Sequence, residues 1–352
     1  MSISLKANAD GSSAIQTGGI DRIKIDAKGV VELTDAVLPH VNDIVNGDFK
    51  IAQAGTSFAA PASGVYDLDG WLNGNNGTAA VLTIAQVAGS IAGRLARQVT
   101  ITTADAAVGA TDVVTDVTRI EGFNIEKYVG NVFTVAFRAK VPVVGIHCVA
   151  LRNSGTDLSY VKEINFPTAN VWQNCSFTVT EGLPTAGTWN YTNGVGLSVA
   201  FTHMCGTTFQ TTPDAWNTGN FLGTANQVND CATVNNVWAL EKVTMNLGTV
   251  AAVSEISFEQ ELVRCQRYYE IGAFFHVGYV GGVMNLGSTV KYAVVKRVSP
   301  TITQTNGNAS NCSVTTQNGN AGAPTEGFLS YRAGNAAGAA DYRETWTASA
   351  RL

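Results

Sequence analysis

One segment of the sequence has the pattern of an α-helix, and the rest alternates short strand-like runs with glycine, asparagine and threonine. Apolar positions in that segment repeat at spacings of four, three and four, which places them on one helix face: Phe258, Leu262, Cys265 and Tyr269. Ser257 and Gln260 fit a capping box at its start, and Gly272 follows its end. We therefore expect one capped helix that packs Phe258, Leu262 and Tyr269 inward, with β-structure on both sides.

Length and composition narrow the classes of protein to which the chain can belong. Its 352 residues exceed the ~250–300 residues at which a single core stops growing, so two or more domains are expected. The net charge of −5 argues against a nucleic-acid binder, which needs a basic patch. The longest apolar run, residues 141–151, is interrupted by Pro142 and Gly145, so no membrane insertion is expected. The amino terminus lacks the apolar core of a signal peptide, which predicts synthesis in the cytoplasm.

Strand and turn signals predict an all-β chain in four parts. Residues 1–40 contain very short strands between glycine turns, and such strands cannot close a core alone. We expect this segment to pack against other proteins or against copies of itself, in a homotrimer or another assembly with cyclic symmetry. The alternative is a flap on the next domain. Residues 41–257 alternate strands with long polar connections, as in a jelly-roll β-sandwich. Residues 258–272 form the linking helix, and residues 273–352 form a small C-terminal β-sandwich.

Two further loop predictions belong to this architecture. The long connection 206–236 mixes aromatic residues with threonine, asparagine and glycine, so it is expected on the surface. Asn306-Gly307 and Asn318-Gly319 are typical of hairpin turns between alternating segments.

The six cysteines are widely spaced and form no C-x-x-C pair, so buried free thiols are the favoured interpretation. A zinc site is the alternative, because His203 and Cys205 would share one face of a strand and His147 lies on a strand that could pair nearby. Such a pair is more often core packing. We expect no metal and no other cofactor.

The sequence offers little catalytic chemistry. It lacks the motifs G-x-S-x-G, H-E-x-x-H and G-x-x-x-x-G-K-[ST]. Asp67 and Asp69 would share a face if their segment is extended, which makes them the best local candidates for the paired carboxylates of a glycan-cleaving enzyme. Solvated loop carboxylates are the favoured interpretation of this pair, and we expect no enzymatic activity.

Three motifs carry a resemblance to a known family. The helix contains ELVRCQRYYE at 261–270, the run NGDFKIAQAGTS stands at 46–57 with Asp69-Gly70-Trp71 after it, and WTASARL stands at 346–352. Together they resemble bacteriophage tail-fibre and receptor-binding proteins with a jelly-roll, carbohydrate-binding-module-like domain. Ala54 and Gly70 stand where that family commonly has arginine. The motifs mark architecture, and none is catalytic.

The resemblance implies a virion protein that is made in the cytoplasm of a bacterial host. Its N-terminal segment would join other virion proteins, and its jelly roll would bind host surface polysaccharide without catalysis. A head-fibre, decoration or tail-assembly protein without a receptor role is the alternative, and a glycan depolymerase is a more distant one.

A glycan site needs a flat aromatic ring beside amides and hydroxyls, because sugars present apolar C–H faces ringed by hydroxyl groups. Two loops supply such groups, and their candidate residues are Trp189, Tyr191, Trp216 and Asn217. The alternative is that either tryptophan plugs the end of the sandwich. The C-terminal tip, with Tyr331 and Tyr342, is the competing location, whereas Trp71 is expected in the core.

Overall fold

The computed structural model describes the chain over residues 3–9, 11–17, 20–25, 27–28, 31–33, 42–249, 256–282, 284–313, 317–318 and 324–352. Within these ranges the protein consists of β-sheets, one α-helix and four single-turn 3-10 helices, which confirms the predicted all-β class. None of its helices there is long and apolar enough to cross a membrane. The predicted boundary at residue 40 and the Gly319 half of a predicted hairpin lie outside the described residues.

The N-terminal sheet is an antiparallel meander of four short strands: β1 (Ile3–Ala7), β2 (Ser13–Thr17), β3 (Ile20–Ile25) and β4 (Val31–Leu33). The strand register places Leu5 opposite Ile15, and Ile15 opposite Ile23, so apolar residues form a row across the sheet. Leu5 is 75% exposed. The sheet by itself therefore leaves part of this row uncovered.

Twelve strands form the central sandwich: β5 (Ser57–Ala59), β6 (Trp71–Asn76), β7 (Val81–Ala88), β8 (Leu95–Thr103), β9 (Val113–Glu121), β10 (Phe133–Lys140), β11 (Gly145–Asn153), β12 (Leu158–Phe166), β13 (Gln173–Val179), β14 (Val195–Cys205), β15 (Trp216–Thr218) and β16 (Val237–Leu247). Sheet I has the order β13-β10-β16-β8-β7-β5, and sheet II has the order β15-β12-β11-β14-β9-β6. Trp71 is fully buried between them, with its ring 4.9 Å from Phe49 and 6.0 Å from Phe201. The prediction that Trp71 belongs to the core is confirmed.

The long connection 206–236 does not behave as a simple surface loop. The side of sheet II that faces away from sheet I is apolar and carries Leu72, Val117 and Ala200. Leu222, from the connection, packs into this apolar layer and is buried. Because an apolar sheet face needs a cover, the loop is drawn onto it, and the prediction of a wholly surface loop is wrong.

The helix α1 (Phe258–Gln266) begins with the predicted capping box between Ser257 and Gln260. It ends at Gln266, earlier than the predicted segment 258–272, and the chain enters the next strand at Tyr269.

Two of the residues predicted to pack inward lie elsewhere. Phe258 is 53% exposed, and Tyr269 belongs to a strand and is only half-buried. The helix instead buries Cys265 and the carboxylate of Glu261. Leu262 is half-buried and packs against the small apolar cluster that contains Cys265. The physical reason is a polar contact: the backbone N–H of Asn46 donates to Glu261, which turns that side of the helix inward.

Six strands form the C-terminal unit: β17 (Tyr269–Val280), β18 (Asn285–Lys291), β19 (Thr301–Ser310), β20 (Gln317–Asn318), β21 (Gly327–Ala333) and β22 (Gly338–Ser349). Sheet III has the order β17-β22-β19, and sheet IV has the order β18-β21-β20. Phe328, Trp346 and Ala348 are buried together in this unit. Asn306-Gly307 lies within β19, where the register against β22 shifts, so the predicted hairpin turn at this position is wrong.

Candidate functional site

Trp189 and Trp216 meet at the β15 edge of the sandwich. Their ring centroids lie 5.9 Å apart at an angle of 75°, and both rings are half-buried against the core. Each indole N–H already donates to a backbone carbonyl, that of Ala186 for Trp189 at 2.7 Å and that of Gly182 for Trp216 at 3.0 Å. These contacts favour the interpretation in which the two tryptophans close the sandwich.

The other two candidates from these loops do not complete a site around the tryptophans. The side-chain amide of Asn217 donates to the carbonyls of Thr212 and Ala215, so its donors are used within its own loop. Tyr191 is 39% exposed, and burial together with the nearby Glu126 raises its pKa. The structure therefore brings Trp189 and Trp216 together, but it does not turn Asn217 towards an incoming ligand.

The outer face of sheet III offers a more open platform. A hollow of about 640 Å³ is lined by Ala273, Phe274, Phe275, Thr305, Gly307, Arg343, Glu344 and Thr345. Phe275 is 52% exposed, and the guanidinium of Arg343 lies 4.7 Å from its ring centroid. The register places Arg343 opposite Phe275 and Thr305 opposite Thr345, so an aromatic ring, a cation and two exposed hydroxyl side chains share one flat surface.

The residues that the sequence indicated at the C-terminal tip, the alternative location, differ from those on this platform. Tyr342 is fully buried, and its hydroxyl donates to the carbonyl of Ser330 at 3.3 Å. Phe275 and the 77% exposed Tyr279 lie on the opposite, outward-facing side of the sheet. The available signal was the strand AFFHVGYV at 273–280, which is apolar at both odd and even positions, so one apolar face had to remain outside.

Asp67 and Asp69 are buried, so neither expected role fits them. Asp67 accepts two hydrogen bonds from Arg97, at 2.8 and 2.7 Å. Asp69 accepts from the backbone N–H of Gln53 at 2.7 Å and from its side-chain amide at 2.6 Å. Burial raises the pKa of Asp69, against the opposing effect of these hydrogen bonds. The interpretation as solvated loop carboxylates is wrong, and the pair is also not exposed to a substrate.

His203 belongs to a buried chain of charged groups. Its Nε2 atom lies 3.0 Å from Asp116, and Asp116 lies 2.5 Å from Arg97. On the other side its Nδ1 atom lies 3.6 Å from Asp230, which also contacts His147 at 3.0 Å. Burial alone would lower the pKa of His203, but Asp116 and Asp230 outweigh it and raise the pKa to about 9. His203 is therefore an imidazolium at neutral pH.

His203 and Cys205 do not share one face of their strand, as the alternative of a zinc site required. The register of β14 against β9 shifts between Thr202 and Met204, and this irregularity ends the simple alternation of side chains. His203 faces the core, whereas Cys205 packs in the layer on the opposite side of sheet II. In the described part of the chain, no group of three or more His, Cys, Asp or Glu side chains has an arrangement that could hold a metal ion.

The prediction of buried free thiols is confirmed for all six cysteines: Cys148, Cys175, Cys205, Cys231, Cys265 and Cys312. Burial raises the pKa of Cys205 and of Cys231 to about 12, which keeps both thiols protonated and unreactive.

Comparisons with known proteins return only distant similarity. No family model and no curated protein matches the chain. Among solved structures, a family 4 carbohydrate-binding module is 15% identical, with a TM-score of 0.34, and the match covers 58% of this chain and 99% of that one. A family 11 module of a Clostridium thermocellum cellulase is 15% identical, with a TM-score of 0.31 over 54% of this chain and 97% of that one. Because both TM-scores are below 0.5, these likenesses carry no argument about function.

Proposed function

We propose that this chain is a non-enzymatic subunit of a bacteriophage tail fibre and attaches to host surface glycan through the sheet III platform. The observation that carries the proposal is the exposed ring of Phe275, with Arg343 above it and the threonines of β19 and β22 beside it. The resemblance of the helix and flanking motifs to phage fibre proteins supports the virion role.

The platform has the chemistry that a sugar ring requires. The apolar C–H face of a pyranose can lie against exposed aromatic and aliphatic groups such as Phe275 and Ala273. Its hydroxyl groups can bond to Thr305, Thr345 and Arg343 around the same hollow. The site is open and shallow, which suits one segment of a long polysaccharide better than a small enclosed ligand.

The proposed partners follow from the same architecture. The N-terminal sheet, with its uncovered apolar row, would join other virion proteins and further copies of the chain in a homotrimer. The mature location is the virion, after synthesis in the cytoplasm of the host.

A head-fibre, decoration or tail-assembly protein is the second candidate, in which the sandwich serves only as a spacer. The dense contacts of Trp189 and Trp216 with the core are compatible with that role, because they use the loop aromatics for packing. The two candidates differ in one respect: only a receptor-binding fibre coats host cells and competes with virion adsorption.

We expect Phe275→Ala to leave folding intact and to weaken adsorption of the purified protein to host cells by about two- to tenfold. An aromatic contact contributes about 0.5–1.5 kcal/mol, and every 1.4 kcal/mol is a factor of ten in affinity. Quantitative cell-binding curves and competition with virions would measure the effect. Phe258→Ala is the matched control, since Phe258 is as exposed as Phe275 but lies on the helix. Unchanged adsorption of Phe275→Ala, or a parent protein that coats no host cells, would refute the proposal.

A further inference from the structure

A groove on the outer face of sheet I carries an excess of positive charge. Two adjoining hollows, of about 320 and 250 Å³, share Arg94 and Lys242 as common lining residues. Arg138 lines the first hollow, and Lys50, paired with Asp48 at 3.1 Å, lines the second. The groove therefore concentrates cations on a chain whose net charge is −5.

A buried carboxylate below the groove contacts both of its arginines. Glu241 is fully buried and accepts a hydrogen bond from the backbone N–H of Ser90 at 2.7 Å. Arg94 and Arg138 each approach the same Glu241 oxygen at 3.5 Å, which is longer than an ordinary charge-assisted hydrogen bond. The Nε atom of Arg138 is buried and has no hydrogen-bond partner among the described residues. The Glu241 carboxylate thus holds both guanidinium groups at the groove.

The backbone at Lys242 is strained where the two hollows join. Lys242 has a φ of 52°, in the left-handed region that side-chain-bearing residues seldom adopt. The register between β10 and β16 shifts between Ala136 and Arg138, so Lys242 sits in a β-bulge in the middle of the sheet. Bulges of this kind redirect a side chain, and strained residues are concentrated at functional sites.

We propose that this groove binds the carboxylate groups of an acidic polysaccharide, a chain that contains uronic acid residues. The inference rests on the proposed attachment to glycan and specifies the class of glycan, with the groove as a second contact in addition to the sheet III platform. A carboxylate matches the planar fork of Arg138 or Arg94, and Lys242 lies between the two hollows to contact a second acidic sugar. Ser176, Thr244 and Asn174 line the first hollow and provide hydroxyl and amide groups for the uncharged parts of the sugars.

Calorimetric titration of the full chain with hexagalacturonate and a hyaluronan hexasaccharide tests the proposal, with the carboxyl-reduced, neutral form of hexagalacturonate as the reference ligand. We expect at least one acidic ligand to bind about tenfold more tightly than the reference in 50 mM salt, and to lose affinity as salt rises, because exposed charges are screened. Arg138→Gln and Lys242→Gly should each weaken this binding by about tenfold, the size of one charge-assisted contact.

Lys242→Gly also separates a ligand-binding role from a structural one. Glycine adopts a positive φ without strain, so this variant should melt at the same temperature as the parent or higher while it loses affinity. Lys162→Gln is the matched control, because Lys162 is a partly exposed lysine on sheet II and should leave binding unchanged.

Equal affinity for the acidic and neutral ligands would overturn the inference, and so would unchanged binding by Arg138→Gln and Lys242→Gly. A third contrary result is displacement of the bound acidic ligand by inorganic phosphate at the same concentration as by the free acidic ligand, which would show a simple anion site. Host-cell adsorption is measured in parallel with the same preparations. If adsorption persists while uronate binding is absent, the groove assignment fails and the attachment function stands. If uronate binds at the groove while the protein coats no host cells, the attachment function fails instead.

Discussion

His203 keeps a positive charge in the interior of the sandwich because carboxylates flank it on both sides. Asp116 lies 3.0 Å from one ring nitrogen, and Asp230 lies 3.6 Å from the other. Arg97 completes the chain and is itself paired with Asp67 at 2.7 Å. A lone buried charge would be very unfavourable, so these charged side chains stabilise one another only as a set.

We expect the free energy of unfolding to fall by about 3 kcal/mol as the pH rises from 6.5 to above 9, because of His203. The pKa of His203 is raised from 6.5 to about 9 in the folded chain, so folding takes up a proton between these values. Its stabilising contribution is complete below pH 6.5 and is lost as the pH rises through the folded pKa. Urea denaturation at a series of pH values from 6 to 9.5 measures this slope.

His203→Gln is the control for the pH experiment, since glutamine keeps a polar group of similar size but does not titrate. The variant should be less stable than the parent at pH 6.5 and should lose the slope. A parent whose stability is constant or rises from pH 7 to 9 would show that His203 is neutral in the folded protein.

The sequence indicated part of this residue-scale chemistry and missed the rest. It identified His203 and His147 as neighbours on separate strands, and both do contact Asp230. It could not identify Asp116 and Asp230 as their partners, because these carboxylates come from a different strand and from a long loop. Complementary charges far apart in sequence leave no local pattern, whereas Cys205 was misplaced by a single irregularity in the strand register.

At the scale of single elements, the capping signal of α1 was reliable, whereas the orientation of the helix and the hairpin signal at Asn306-Gly307 were not. The capping box of α1 depends only on residues that are three positions apart, and it forms as predicted. The buried side of the same helix is set by the sandwich, which presents the backbone N–H of Asn46 to Glu261. The apolar stripe therefore predicted the helix correctly but placed Phe258 on the wrong side.

Glu261→Ala should lower the free energy of unfolding by about 2–3 kcal/mol, because the variant leaves the N–H of Asn46 buried without an acceptor. It also removes the carboxylate that accepts from Arg264 at 2.9 Å. Phe258→Ser, on the exposed side of the helix, should change stability by less than about 0.5 kcal/mol. Guanidinium denaturation compares the two, and a larger loss for Phe258→Ser would mean that the helix packs with the opposite face inward.

At the scale of the whole molecule, the three sequence motifs meet at one junction between the sandwich, the helix and the C-terminal unit. Arg267 donates two hydrogen bonds to Glu121 of the sandwich, at 2.9 and 2.7 Å. Gln53 donates to the carbonyl of Tyr269 at 2.8 Å, and Arg297 donates to that of Ala350 at 2.5 Å. This convergence could not be predicted from the sequence, since contacting residues such as Glu121 and Arg267 are 146 positions apart.

Position 70 holds glycine for a structural reason. Gly70 has a φ of 78°, and a Cβ atom added to it would lie 3.0 Å from the carbonyl oxygen of Val45. The turn that leads into Trp71 therefore requires glycine in this chain.

We propose that the N-terminal sheet sets the assembly state, because its described strands leave part of their apolar row uncovered. Four strands of three to six residues present Leu5, Ile15 and Ile23 side by side, with Leu5 75% exposed. Three copies that turn these rows towards a common axis would bury them, and closed rotational symmetry leaves no open end.

We expect sedimentation equilibrium at micromolar concentration to give the mass of three chains. Leu5→Glu should shift that mass towards one chain, because it places three like charges at the axis. Phe258→Glu adds the same charge on the exposed side of the helix and should remain trimeric. A monomeric parent, or a Leu5→Glu variant that stays trimeric, would show that the N-terminal sheet does not hold the assembly together.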